Sequence, residues 1–172
     1  MNTEIRISGA GLALSLAAAA ARAGKSIFLL GGDPGDAEAA AAVLKHLNPD
    51  LKIAGIMCPP AGFEEDSLQM TEIGNALHST KPDLVYSCFG FPKQELVICA
   101  LRDRVPSAWF LGLGGSLAIV SGRTRRAPRW MQNVGMEWAW RLGLEPRRLF
   151  HRYIVRDLPF VFRLFGNALI QH

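Results

Sequence analysis

Three consecutive polar residues, Lys93, Gln94 and Glu95, follow a strand-like run in the hexapeptide GFPKQE. A connection between a strand and a helix needs only Gly and Pro to turn the chain, whereas an ammonium, a carboxamide and a carboxylate offer donors and acceptors to a polar ligand. The order of residues therefore favours a binding or catalytic role for these side chains. The alternative is a capped turn in which Glu95 faces the N-terminus of the next helix.

A second loop, GGDPGD, follows the apolar run SIFLL. Because glycine lets the backbone approach a ligand closely, Gly31 and Gly32 are candidate nucleotide contacts. The alternative is an ordinary strand-to-helix turn with Asp36 as the cap. The loop has neither the GxGxxG spacing of dinucleotide-binding proteins nor the GxxxxGKS or GxxxxGKT spacing of the P-loop. An oxidoreductase that uses a dinucleotide is therefore disfavoured.

Acidic side chains that could act as a general base occur in two loops. The residues 64–66 (EED) follow a strand-like run and Glu95 ends GFPKQE, although acids at a helix start also serve as partners of the helix dipole. The sequence has no Asp-x-Asp triplet, no CxxC pair and no Cys/His cluster, so we expect no metal ion and no cofactor. Cys58, Cys88 and Cys99 are predicted to be reduced thiols in the core.

These loops need a scaffold, and the chain provides alternating strand-like and helix-like segments. Four short apolar runs, SIFLL, LKIAGIM, DLVYSCF and AWFLGLG, alternate with helical patterns. This alternation predicts an α/β, Rossmann-like body over residues 1–122, with a parallel sheet and crossover helices. Leu12–Ala23 is interpreted as an alanine-rich helix ended by Gly24, with a signal-peptide core as the alternative. Because parallel strands end at one edge, we expect GGDPGD, PPAGFEED, GFPKQE and GLGGS to lie there together.

The last part of the chain differs in charge from the rest. Residues 123–172 hold ten Arg, no Lys and three acidic residues, whereas residues 1–122 hold nine basic and twelve acidic residues. We predict a C-terminal helical appendage over residues 123–172. Its basic stripe of Arg148, Arg152 and Arg156 lies beside an apolar stripe, which suits a membrane interface, and packing of that apolar stripe on the body is the alternative. No nucleic-acid-binding motif is present, so no nucleic-acid partner is expected.

The arginine-rich tail can be considered for one supposed ligand, a nucleotide diphosphate sugar whose sugar is transferred to an acceptor. Such a transfer releases a diphosphate whose growing negative charge must be stabilised. Guanidinium groups fit phosphate oxygens in pairs, so the tail arginines could take the place of a divalent ion.

Five blocks of the sequence, in their order and spacing, resemble the WecG/TagA/CpsF family of bacterial glycosyltransferases. The blocks are GGDPGDAEAAAAVL, PPAGFEED, PDLVYSCFGFPKQE, RRAPRWMQNVGMEWAWRL and EPRRLFHRY. The resemblance implies an inverting enzyme that moves a sugar from a UDP-sugar donor to an undecaprenyl-diphosphate-linked acceptor in polysaccharide or teichoic acid synthesis. It implies a cytoplasmic location, peripheral to the inner membrane through the C-terminal helix, and it is compatible with a homo-oligomer.

The resemblance also implies roles for individual residues. Gln94 and Arg6 are expected to be catalytic residues that position the sugar or the acceptor. Two arginines of the appendage match family arginines that close over the donor diphosphate, and the next basic family position falls at His151, beside Arg152. Together with the residues of the loops described above, the predicted donor-binding set is Arg141, Arg148, Arg152, Gly31, Gly32 and Lys93.

One feature of the family pattern has no counterpart here. Family members carry an Asp-Gly motif upstream of the position of Arg6, and its aspartate is the proposed catalytic base. This sequence lacks that motif, so we expect either a fragment of a longer protein or a degenerate homologue. Loss of a general base typically costs on the order of 10²- to 10⁴-fold in rate. A nucleotide-sugar-binding chain without catalysis is therefore the alternative function.

Overall fold

The computed structural model of the protein describes residues 8–125, 127–128, 130–131, 134 and 136–144. The chain divides into two compact units, residues 1–125 and residues 126–172. We call the first unit the body and the second the C-terminal unit. The division falls three residues after the boundary expected from the change in charge.

Strands and helices alternate along the body, as the apolar runs predict. The strands are β1 (Ser26–Gly31), β2 (Lys52–Met57), β3 (Leu84–Cys88) and β4 (Trp109–Gly112). The helices are α1 (Gly9–Arg22), α2 (Asp36–Leu47), α3 (Ser67–Thr80), α4 (Lys93–Leu101) and α5 (Ser116–Val120), with 3-10 turns at Phe63–Glu65 and Arg102–Arg104. The helix described in the C-terminal unit is α6 (Glu137–Leu144).

The four strands form one parallel sheet in the order β2-β1-β3-β4. The chain first places β2 on one side of β1 and then crosses to β3 on the other side. Such a reversal of direction opens a crevice between the carboxyl ends of the two strands, here β1 and β3, where ligands of open α/β sheets bind. The predicted α/β, Rossmann-like body is confirmed.

The sheet is covered on both faces by apolar residues. On one face, the alanines of α1 and α2 pack with α5 against β1 and β3, and on the other face α3 and α4 cover Phe28, Leu30 and Val85. Small alanine side chains let α1 approach the sheet closely, and the Tyr86 hydroxyl donates to the Ala13 carbonyl oxygen at 3.0 Å. Burial raises the pKa of Tyr86. The tyrosine therefore ties α1 to the sheet as a neutral phenol.

The alanine-rich segment near the N-terminus is a helix, as predicted. Helix α1 begins at Gly9, three residues before the predicted start, because the Ser8 hydroxyl accepts a hydrogen bond from the Gly11 N–H at 3.2 Å. Gly24 follows the helix with a left-handed φ of 66° and turns the chain toward β1.

A carboxylate joins the two central strands at their amino ends. Asp83 precedes β3 and accepts hydrogen bonds from the Ser26 N–H at 2.8 Å and the Ser26 hydroxyl at 3.0 Å, at the start of β1. Its other oxygen pairs with Lys25 at 2.8 Å. The Lys25 hydrogen bond, followed by the Ser26 N–H, lowers the pKa of Asp83 to about 2. Asp83 therefore fixes the register of β1 against β3.

We expect Asp83→Ala to lower the free energy of unfolding by about 1–2 kcal/mol, because each lost hydrogen bond contributes about 1 kcal/mol. A carboxyl with a lowered pKa stabilises the fold above its unfolded pKa of about 4 and loses that effect as the pH falls through its folded value. The difference from wild type should therefore be constant near neutral pH and shrink toward pH 2. Urea unfolding across this range measures it.

The matched control is Asp103→Ala, because the Asp103 side chain is 88% exposed and lies 3.6 Å from its arginine partner. It should change stability by less than about 0.5 kcal/mol. Equal stabilities of the two variants would show that Asp83 does not hold the central strands.

Candidate functional site

The four glycine- and proline-rich loops lie at one edge of the sheet, as predicted. The strand register sets Gly31 opposite Cys88 and Ser87 opposite Gly112, so β1, β3 and β4 end side by side. Leu30 stands opposite Met57, which brings the end of β2 to the same edge. We call this edge the rim. It carries the segments 31–36, 59–66, 90–95 and 112–116.

Gly31 and Gly32 lie in the crevice between β1 and β3. Both have left-handed backbone angles, with φ of 101° and 85°. A Cβ on Gly31 would come within 2.7 Å of the Phe89 ring and 2.8 Å of the Cys88 carbonyl oxygen, so only glycine fits. The Gly32 N–H donates to the Cys88 carbonyl at 2.9 Å, and the Gly32 carbonyl accepts from the Cys58 thiol at 3.3 Å. Both neighbouring strands thus fix this turn.

The surroundings of the glycine turn are acidic. Asp36 and Glu38 occupy the first turn of α2. Burial, and then the nearby charges of Glu38, Asp33 and Asp36, raise the pKa of the Cys58 thiol. Carboxylates at this position accept hydrogen bonds from hydroxyl groups and repel phosphate. The turn is therefore better suited to a sugar ring than to a diphosphate.

Asp36 is a buried carboxylate with two kinds of partner. Gly35, with φ of 86°, occupies the cap position, so Asp36 is the first residue of α2 and not its cap. One Asp36 oxygen accepts from the Asp33 N–H at 3.1 Å, and the other pairs with Arg123 at 2.9 Å. The sequence predicts Arg123 to belong to the arginine-rich tail, but its guanidinium contacts the body.

Lys93 is the first residue of α4 and not part of the loop before it. Its ammonium pairs with Glu64 at 2.5 Å and lies 5.6 Å from the centre of the Phe63 ring. Phe63 is buried and packs on Phe89 with ring centres 4.8 Å apart. The Lys93 hydrogen bond lowers the pKa of Glu64, which makes this carboxylate a weaker proton acceptor and disfavours it as a general base.

Gln94 is buried at the ends of β3 and β4, where it is 8% exposed. Its amide oxygen accepts from the Gly114 N–H at 2.9 Å, and its amide nitrogen donates to Glu95 at 2.8 Å. A Cβ on Gly112 would lie 2.7 Å from that nitrogen. Gln94 therefore holds the β4–α5 loop and orients the Glu95 carboxylate at the rim.

The structure brings Gly31, Gly32, Lys93 and Gln94 to the same rim. The predicted side chains of Arg6, Arg148 and Arg152 lie outside the described residues. Arg141 falls within α6, and its side chain is also outside the description. The roles predicted for these four arginines stay predictions.

The surroundings of two residues at or next to the rim were not predicted from the sequence. Gly112 is one, although an isolated glycine at the end of a strand is a recognised sign that another group approaches the backbone closely. Ser87 is the other: its hydroxyl is buried in β3 without a hydrogen-bond partner among the residues that the structure describes. The sequence signal that could have identified Ser87 is a small polar residue within the otherwise apolar run LVYSCF.

The prediction of three core thiols is partly wrong. All three cysteines are free, and Cys88 is buried, where desolvation raises its pKa to about 12. Cys58 is half-buried at the rim, and Cys99 is exposed on the outer face of α4. Apolar neighbours in the sequence do not reveal which face of a helix a residue occupies.

Two kinds of feature are absent from the residues that the structure describes. Among these residues, no three His, Cys, Asp or Glu side chains are grouped so that they could hold a metal ion. In the same part of the chain, no helix has both the length and the apolar character that crossing a bilayer requires.

A parallel α/β sheet with glycine-rich turns at its switch point defines a protein that binds its ligand at the carboxyl edge of the strands. Comparison with known families then identifies the family of this chain. The Glycosyl transferase WecG/TagA/CpsF family matches residues 1–172, and the chain belongs to that family.

A curated relative matches most of the chain. It is the N-acetylglucosaminyldiphosphoundecaprenol N-acetyl-beta-D-mannosaminyltransferase of Bacillus subtilis (strain 168), which is 34% identical over 145 residues. The match covers 84% of this chain and 54% of the relative. The chain therefore spans about half the length of this curated relative.

We expect Gly112→Ala to displace the Gln94 amide and lower the free energy of unfolding by about 1–3 kcal/mol, the usual cost of overpacking. Gln94 cannot simply swing aside, because its amide is buried and bonded to Gly114. Denaturant unfolding measures the loss.

Gly115→Ala is the matched control, since a Cβ at this position meets no atom within 4 Å. Gly115 also has an ordinary φ of −80°. The control should unfold like the wild type. Wild-type stability in Gly112→Ala would show that the contact with Gln94 does not constrain this loop.

Proposed function

We propose that the protein acts in glycosyl transfer, moving a sugar with inversion from a UDP-sugar donor to an undecaprenyl-diphosphate-linked acceptor in cell-surface polysaccharide or teichoic acid synthesis. The observation that carries this proposal is the family match over residues 1–172. The curated relative is named for transfer of N-acetyl-β-D-mannosamine to N-acetylglucosaminyldiphosphoundecaprenol, and we propose the same type of acceptor here.

The ribose and the diphosphate of the donor need different binding groups. We propose that the ribose lies against the turn of Gly31 and Gly32, where Asp33 and Glu38 supply carboxylates for its hydroxyl groups. The donor diphosphate is dianionic and needs cations, which the sequence concentrates in the C-terminal unit. Arg141, Arg148 and Arg152 are the proposed diphosphate ligands.

The reaction forms a bond between the acceptor oxygen and the anomeric carbon of the sugar. The bond from that carbon to the diphosphate oxygen breaks, UDP leaves with the electron pair, and a base takes the proton of the acceptor hydroxyl. Glu95 is the proposed proton acceptor among the rim residues, because Gln94 orients its carboxylate and Glu64 is held by Lys93. Guanidinium groups stabilise the leaving diphosphate, so we propose that no metal ion is needed.

A transfer assay tests the proposed function. The purified chain is supplied with UDP-N-acetylmannosamine and undecaprenyl-diphosphate-linked N-acetylglucosamine, and the lipid-linked disaccharide is quantified. We expect product formation that is unchanged by a chelator of divalent cations, because arginine side chains replace the metal. Transfer that stops with the chelator and returns with Mg²⁺ would contradict the metal-independent mechanism.

Replacement of Arg141 and Arg148 by Ala should weaken UDP binding about 10- to 100-fold, since hydrogen bonds to charged groups contribute about 1.5–3 kcal/mol. Titration calorimetry with UDP measures this change. The control is the double variant Arg22→Ala/Arg102→Ala, which removes two exposed arginines of the body. Unchanged affinity in the Arg141/Arg148 variant would show that these residues do not bind the diphosphate.

A second candidate function is nucleotide-sugar binding without transfer. The observation that favours it is that the polar groups of Lys93 and Gln94 are both engaged in contacts within the protein. Binding of UDP in calorimetry, together with no product in the transfer assay, would support this function over catalysis.

The proposed place of action is the cytoplasmic face of the inner membrane. An undecaprenyl-linked acceptor is confined to the bilayer, so the enzyme must reach the membrane surface. The basic stripe and the neighbouring apolar stripe that the sequence predicts for the C-terminal unit suit such a peripheral attachment.

A further inference from the structure

We propose, on the basis of the proposed function, that Arg123 is a positioning residue for the donor. Its guanidinium holds the β1–α2 loop through the buried carboxylate of Asp36, and this loop contains the turn of Gly31 and Gly32. Arg123 itself acts at a distance from the donor: it fixes the backbone against which the ribose binds.

The end of α5 determines where Arg123 lies. The Ser121 N–H donates to the Leu117 carbonyl at 2.8 Å, and Gly122 then takes a left-handed φ of 78°. The Thr124 N–H returns to the Ala118 carbonyl at 2.9 Å. Arg123 is therefore held between two hydrogen-bonded turns, next to the start of α2.

The guanidinium joins two points of the loop. Nη1 of Arg123 donates to the Pro34 carbonyl oxygen at 2.7 Å and to Asp36 Oδ1 at 2.9 Å. The second Asp36 oxygen accepts from the Asp33 N–H at 3.1 Å. One cation thus ties residues 33–36 into a single closed turn.

The need for a cation follows from burial. The Asp36 side chain is 3% exposed, whereas that of Arg123 is 53% exposed. A carboxylate out of contact with water is costly unless it is paired and hydrogen-bonded. Without Arg123, the Asp36 carboxylate would have to turn toward solvent to be hydrated.

That movement would reach the donor turn. A Cβ on Gly32 would lie 3.0 Å from the Asp36 Cβ, and a Cβ on Gly35 would lie 3.6 Å from Arg123 Nη1. Gly32 and Gly35 therefore lie directly against this ion pair, and we expect a loss of the pair to change the backbone at Gly32. The sheet itself is held by β-pairing and by apolar packing on both faces, so we expect the loop to open while the fold persists.

Calorimetry with UDP on four forms of the whole chain tests the role of Arg123: wild type, Arg123→Ala, Arg123→Lys, and Arg123→Ala combined with Asp36→Asn. We expect Arg123→Ala to bind UDP about tenfold more weakly, within the usual range of coupling between a remote group and a ligand. Arg123→Lys should recover part of the affinity. The double variant should also recover affinity, because a neutral amide needs no cation.

Rescue by Asp36→Asn separates positioning through the ion pair from a general loss of packing, since the double variant lacks the Arg123 side chain as well. Hydrogen exchange of residues 31–36 without UDP gives a second readout, which should rise in Arg123→Ala and fall again in the double variant. Arg102→Ala is the control, because Arg102 is 65% exposed. If Arg123→Ala does not fold, the comparison of Arg123→Lys with wild type still tests the inference.

The outcomes distinguish this role from the proposed function itself. Wild-type protein that binds no UDP would overturn the proposed function and, with it, the donor role of Arg123. Wild-type protein that binds UDP, with unchanged affinity in Arg123→Ala and Arg123→Lys, would overturn only the role of Arg123. Weakened binding that Asp36→Asn fails to rescue would also overturn it.

Discussion

The parallel pairing of β1 with β3 is the constraint on which the rest of the structure depends. Asp83 closes this pair at its amino end through Ser26, and the Gly32 N–H closes it at the carboxyl end on Cys88. Because the chain has already placed β2 on the other side of β1, the connections diverge from this pair and leave the crevice between them. The same backbone pairing that stabilises the sheet thus locates the candidate site.

Three contacts made by polar side chains hold the loops of the rim to other elements. Lys93 joins α4 to the β2–α3 loop through Glu64, Gln94 joins α4 to the β4–α5 loop through Gly114, and Arg123 joins the end of α5 to the β1–α2 loop. Each of these three loops is therefore fixed by a residue from another element. A site built in this way is already ordered before a ligand arrives, which lowers the entropy lost on binding.

The strands and the position of the loops were predicted well, because both follow from patterns among neighbouring residues. The alternation of apolar runs gives the strands, and the common direction of the strands gives the rim. The pairs Lys93–Glu64 and Arg123–Asp36 join residues of different loops, and no local pattern specifies such partners. The start of α4 at Lys93 was missed for a related reason: the sequence shows a polar first turn, which is hard to distinguish from a loop.

The proposed nucleotide-sugar donor accounts for a chain that combines an acidic rim with an arginine-rich tail. A nucleotide sugar has a half rich in hydroxyl groups and a diphosphate with two negative charges, and no single environment suits both. Carboxylates around the glycine turn favour the first and repel the second. The proposed diphosphate ligands, Arg141, Arg148 and Arg152, are far from those carboxylates in the sequence. Arg123 is the exception, and its pairing with Asp36 is what keeps the acidic turn closed.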